Sequence, residues 1–197
     1  MTTSQFAGRL QSLASEFPAA AQRAASAVSV VAAGAVKKGM TDGVSPDGTP
    51  FRPLGWPRPS GGTKPLLDTG VLRASVSAEA DGSGITLRAN APGARLHQEG
   101  GVIVPRRAKA LTVPLTREAA RAGGARNFPR KLFAIGKKEG GKGALAERTP
   151  RGGLILHYLL RRSVTVPARP YLGVSAETAN RIGTVIAFEQ VRALEGA

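Results

Sequence analysis

Apolar positions recur at helical spacing at both ends of the chain. Phe6, Leu10, Leu13 and Phe17 predict a helix over residues 3–17, capped by Thr3 or Ser4. Pro18 either interrupts it or opens a second helix at its first position. Residues 19–38 are Ala-rich, with Val28, Val31 and Val36, and run into Lys37-Lys38-Gly39, cations in a last turn with glycine at the stop. So many small residues predict close packing, on the chain's own sheet or on a neighbouring subunit. Near the end, Ile182, Val185, Ile186 and Val191 gather on one side of a helix over 176–194, a stripe that Ala179, Phe188 and Leu194 widen.

Between these helices the pattern shortens. Alternating or β-branched runs predict strands at 85–89, 101–104, 111–115, 132–135 and 164–166, and 154–160 is a mixed apolar run. Residues 71–76 read as a short helix capped by Asp68 or Thr69, 94–98 as one helical turn, and 116–127 as a short basic helix or a loop. Turns fall at 81–84 and 90–93. Residues 136–143, with four Gly and three Lys, read as a hairpin tip that 145–147 returns from. Residues 42–65 hold six prolines and five glycines, a loop too long to be only a connector. Trp56 in that loop is either a plug on the domain's own surface or an intermolecular anchor.

Composition narrows the function classes. A chain of 197 residues has room for one domain with an insertion, or two small ones. The absence of cysteine excludes disulfides and thiolate metal sites or nucleophiles. No unbroken apolar stretch of about 18 residues exists, so no membrane span is expected. The first residues lack the charged start and apolar block of a signal peptide, and a cytoplasmic protein is expected. The net charge is +15, and residues 101–173 hold 16 Lys/Arg against 3 Asp/Glu. That asymmetry points to a polyanionic partner, nucleic acid or an acidic protein surface.

The chain turns on residues 164–175, Val-Thr-Val-Pro-Ala-Arg-Pro-Tyr-Leu-Gly-Val-Ser. Pro167 and Pro170 make a stiff extended corner, on which Arg169 is expected to be held outward. Tyr171 anchors it, and Ser175 caps the last helix. Ser45-Pro46-Asp47-Gly48 with Trp56, then Leu-Leu-Asp-Thr-Gly-Val-Leu-Arg-Ala-Ser at 66–75, then Leu-His-Gln-Glu-Gly at 96–100, precede it in that order. Together these motifs resemble the phage virion morphogenesis family, the Mu-like tail completion proteins of the head–tail junction. Val166 and Tyr171 stand where the family pattern favours Ile and Phe, and Phe51-Arg52-Pro53-Leu54 comes before Trp56 instead of after it.

The resemblance covers about residues 40–100 and 164–195. It implies an α+β fold, with N- and C-terminal helices packed on an antiparallel β-sheet. Residues 1–100 and 164–197 then form the core, and 101–163 a basic β-rich insertion. It also implies a non-enzymatic virion protein of the phage neck, a subunit of a ring, six around the tail axis, that completes the tail and lets it join the head. Its partners are then the tail tube protein, a connector or stopper protein, and DNA passing through the lumen, with no membrane and no cofactor. Trp56, Arg73, Arg169 and Tyr171 are the expected subunit contacts. Arg106, Arg107, Lys109, Lys137, Lys138 and Lys142 are the expected DNA-facing or partner-facing charges. A stopper ring and a free-standing, sequence-independent nucleic-acid-binding protein are the alternatives.

Catalytic signals are weak. His97 and His157 lack the converging ligands of a metal site. Ser75, His97 and Asp68 form a triad only on paper, without a Gly-x-Ser-x-Gly elbow, and no phosphate-binding loop motif occurs.

Overall fold

In the computed structural model the first helix does not break at Pro18. Helix α1, Thr3–Asp42, is continuous through it, so the two helices expected on either side are one. At 40 residues it is about 60 Å long. The run that follows Pro18 is dominated by alanine, the strongest helix former, which offsets one missing N–H. The helix also runs past Gly39 and stops at Gly43, whose φ of 81° only glycine adopts readily. The Gly43 N–H donates to the Gly39 carbonyl at 2.8 Å, closing the last turn.

The described residues are 3–54, 58, 59, 61–136 and 143–195. Within α1 the side chains at 3–7, 9, 10 and 13–15 lie outside them, Phe6, Leu10 and Leu13 included. After α1 come α2 (Val71–Ala74), β1 (Val76–Asp81), β2 (Gly84–Ala89), α3 (Ala94–Glu99), β3 (Gly101–Ile103), β4 (Leu111–Pro114) and α4 (Arg117–Arg121). A 3-10 turn, Ala125–Asn127, leads to β5 (Phe133–Ile135), β6 (Gly143–Arg148), β7 (Leu154–Arg161), β8 (Val164–Val166) and α5 (Ala176–Glu195). Among the described residues all strand pairing is antiparallel, in three sheets: β1-β2, β3-β8 and β4-β7-β6-β5. The class is α+β.

The chain divides into two units. The first comprises Met1–Phe51, Thr69–Ala94 and Pro170–Ala197, the second Arg52–Asp68 and Arg95–Arg169. The second is therefore wider than the inserted stretch 101–163. β3 pairs with β8, so 101–103 and 164–166 stay together.

In the first unit α1 buries Ala20, Ala24, Val28, Ala32, Val36 and Met40, every fourth residue. α5 runs antiparallel to it, with Arg23 paired to Glu189 at 3.0 Å. Val28, Ala32 and Ile182 form the core, joined by Ala78, Ala80 and Leu87 of the β1-β2 hairpin and by Val185. Strand β1 was not expected. Its inward residues after Val76 are alanines, and Ser, Glu and Asp between them carry little strand signal. The buried line on α5 runs through Thr178, Ile182 and Ala193, so the expected stripe shifts: Ile186, Phe188, Val191 and Leu194 are exposed. By length and composition Glu16–Asp42 could cross a membrane, which a search for unbroken apolar runs passes over. Here its buried residues pack on α5, β1 and β2.

In the second unit Ala119, Phe128 and Tyr158 form the core, with Leu132 and Leu145 against them. The Tyr158 hydroxyl donates to the Ala119 carbonyl at 3.0 Å. α4 starts at Thr116, whose Oγ1 accepts from the Ala119 N–H at 3.2 Å.

Ala32 is fully buried, so Ala32→Leu is expected to cost about 1–3 kcal/mol of stability by overpacking. Val30 is 73% exposed, and Val30→Ala should change stability by less than about 0.5 kcal/mol. Urea unfolding followed by circular dichroism distinguishes the two.

Candidate functional site

Several residues of the motifs that carry the resemblance turn inward. In the second unit Arg169 is 5% exposed. Its Nε donates to the Arg52 carbonyl at 2.9 Å and its Nη2 to the Pro53 carbonyl at 3.2 Å. Its backbone N–H donates to the His97 carbonyl at 2.8 Å. The expectation that this arginine is held outward is therefore corrected: with φ fixed on both sides by proline, its side chain is directed at main-chain oxygens. Burial, then the Arg58 and Arg52 charges, push the Arg169 pKa down.

Gly100 meets the same corner with φ at 74°. A Cβ there would lie 2.6 Å from Ala168 N, so only glycine fits. Nδ1 of His97 is buried with no hydrogen-bond partner among the described residues. Burial, with the charges of Arg169 and Arg58, holds the His97 pKa below the ordinary histidine value.

The first unit contains the other joints. The Ser45 hydroxyl lies against the Asp47 carboxylate, which also accepts from the Thr49 N–H at 3.0 Å. These hydrogen bonds, that from Ser45 foremost, keep the Asp47 pKa low. Pro46 packs on Gly173, where a Cβ would sit 2.7 Å from Pro46 Cγ. Tyr171 is 2% exposed and its hydroxyl donates to the Ala94 carbonyl at 3.3 Å. It too is an internal anchor in this chain, where a subunit contact was expected. Arg73 is exposed, and its Nε reaches the Lys37 carbonyl in the last turns of α1 at 3.4 Å. The N-cap position of α2 is Gly70, with φ at 81°, where Asp68 or Thr69 was expected. Trp56, Lys137, Lys138 and Lys142 lie outside the described residues.

Charge separates the units. The first holds 8 Lys/Arg and 8 Asp/Glu, the second 20 and 5, so the whole net charge of +15 belongs to the second. Arg106, Arg107 and Lys109 are exposed on the bend between β3 and β4. Other cations are engaged: Arg130 bridges Glu118 at 2.5 Å and Glu147 at 2.6 Å, and Arg117 donates to the Pro59 carbonyl at 3.0 Å.

Sequence reasoning missed one network. β6 and β7 pair Leu145 with Tyr158 and then Ala146 with Leu156, so His157 is the extra residue of a bulge. The bulge turns both His157 and Tyr158 inward, against Phe128. Nδ1 of His157 lies 3.0 Å from Thr116 Oγ1, and Nε2 lies 3.0 Å from Glu147 Oε2. Hydroxyl, imidazole and carboxylate stand in the order of a catalytic triad. Yet the hydroxyl caps α4 and His157 is 2% exposed, so the network ties α4 to β6 and β7 and presents no nucleophile. The signal was the break in alternation at His157-Tyr158. Among the described residues no three His, Asp or Glu side chains converge on a metal position.

A sequence model of the phage virion morphogenesis family matches residues 1–132. The match covers three of the four motifs and ends before 164–175. No curated protein and no solved structure matches.

Gly100→Ala is expected to destabilise the chain by about 1–3 kcal/mol, the cost of a side chain at positive φ. Arg169→Met, which strands two carbonyls, should cost about 1–3 kcal/mol. Unfolding in urea measures both. His97 binds a proton less readily folded than unfolded, so its contribution is whole above the unfolded value of 6.5 and is lost as pH falls through the lower folded value. Thermal midpoints taken from about pH 7.5 down to about pH 5 should therefore fall further in the parent chain than in His97→Gln.

Proposed function

Because this chain belongs to the phage virion morphogenesis family, we propose that it is a tail completion or tail terminator subunit that forms a ring at the head-proximal end of the tail and enables head–tail joining. Membership of the family carries a structural role in phage assembly and association with the virion. The single observation that carries the finer reading is the ordered set of motifs, three of them inside the matched region. The fold supports it, because these motifs serve as internal joints, as suits a subunit whose work is shape and contact, and the protein is proposed to be no enzyme.

The division of charge supports a ring as well. Six copies at +15 each repel one another strongly unless they meet through surfaces that carry no net charge, and the first unit is neutral. The basic unit is then left for DNA in the lumen or for an acidic face of a tail tube, connector or stopper protein. Arg106, Arg107 and Lys109 are its proposed contacts, with Lys137, Lys138 and Lys142. Phosphate contact needs only such cations and reads no sequence. Assembly in the host cytoplasm and residence in the neck follow from this reading.

A sequence-independent nucleic-acid-binding protein is the second reading, favoured by the confinement of all net charge to one unit. A stopper ring is a variant of the first.

Negative-stain microscopy of the purified protein, and of tails assembled with and without it, tests the proposal. Rings, or full-length tails that fail to join heads when it is missing, are expected. A dispersed monomer whose loss leaves infectious particles overturns the proposal and puts DNA binding first. Charge reversal at Lys137, Lys138 and Lys142 should lower the yield of joined particles while the subunit stays folded, read by particle counts and circular dichroism.

A further inference from the structure

The four-stranded sheet of the second unit is incomplete along β7. β4 covers β7 only over 158–161, with Pro114 opposite Tyr158, and the Leu115 N–H donates to the His157 carbonyl at 2.8 Å. β6 and β7 continue past that point, pairing Leu156, Ile155 and Leu154 with Ala146, Glu147 and Arg148. On the other side β5 ends opposite Ala146. Among the described residues no strand lies beside 154–156 on the side away from β6. What extends is a two-stranded ribbon whose edge no described strand covers, and such an edge offers main-chain donors and acceptors to another strand.

Leu154, Ile155 and Leu156 are 50%, 43% and 41% exposed. Neighbours in a strand point to opposite faces, so β7 presents half-exposed aliphatic side chains on both at this edge. No lysine or proline guards these three positions, the usual protection of an open edge. Arg148 and Arg151 are exposed at the turn, Arg148 resting 5.8 Å over the Phe133 ring. The one acid in residues 147–156, Glu147, is already taken by Arg130 and His157.

We propose that this edge accepts an added β-strand from another protein, an extended segment with alternating apolar side chains and carboxylates near its ends. Main-chain hydrogen bonds to 154–156 seat it, the three aliphatic side chains grip it, and Arg151, in the turn that leads into β7, meets a carboxylate at its end. Charge selects this occupant over a second copy of the chain, because the edge belongs to the unit that carries all of the net charge of +15, and two such units repel one another. It selects it over nucleic acid too, because aliphatic side chains offer a phosphate backbone nothing. The proposal goes beyond the ring and stands without it.

The test is amide spectroscopy of the isotopically labelled full chain, titrated with the blocked peptide Glu-Val-Thr-Val-Thr-Val-Glu and with its counterpart carrying Lys for Glu. The acidic peptide is expected to shift amides along 146–158 and to bind about tenfold more tightly than the basic one. Arg151→Glu, on an exposed turn, should weaken it about fivefold with the thermal midpoint unchanged, and Leu156→Thr should weaken it as well. Equal binding of both peptides, shifts confined to other parts of the chain, or the same shifts on adding duplex DNA would each overturn the proposal. So would dimerisation through this edge in sedimentation without peptide. Microscopy of rings and tails judges the proposed function separately.

Discussion

Between Gly100 and Ala168 there is no room for a methyl group, and beside them Arg169 is shut away from water. These two constraints belong to one knot. A buried guanidinium is stable only when its donors are used. Here they hold the carbonyls of Arg52 and Pro53, while the backbone of the same residue holds the carbonyl of His97. Residues at 52–53, 97–100 and 168–169, far apart in sequence, are thereby fixed to one another. The chain passes from one unit to the other beside 52 and 169, and again near 97. The β3-β8 ribbon grows directly out of this knot, with Gly101 opposite Val166.

Recognition and contact are thus divided between different residues. Arg169, Tyr171, Gly100 and Asp47 hold the fold. Arg106, Arg107 and Lys109 on a bend and the aliphatic edge of β7 are exposed instead, and these are among the positions proposed above for partners.

Much of the architecture is legible in the sequence because long periodic signals dominate it. The terminal helices follow from their 3.6-residue pattern, and most strands from alternation or β-branching. The losses have physical causes. Pro18 reads as a stop because a local rule takes no account of the alanine-rich run beyond it. β1 is lost because alanines seal its inner side. The partner of β3 could not be known, since β8 lies some 60 residues on. The site was harder still. A Pro-Ala-Arg-Pro corner predicts a rigid bend, but whether its arginine points out or in depends on carbonyls more than 100 positions away. The Thr116–His157–Glu147 chain rests on a bulge, which shifts register in a way that composition does not record.

The buried residues of α1 follow one another at intervals of four. Four residues advance about 400° around a helix, about 40° beyond a full turn. Five such steps carry the buried line roughly 200° around the axis between Ala20 and Met40. The helix is thus a screw thread rather than a slab with one inner side. Because the thread is cut almost wholly from alanine and valine, moving along it by one pitch places like against like. Its position is set by the features that do not repeat, the bulk of Met40 at one end and the Arg23–Glu189 pair towards the other.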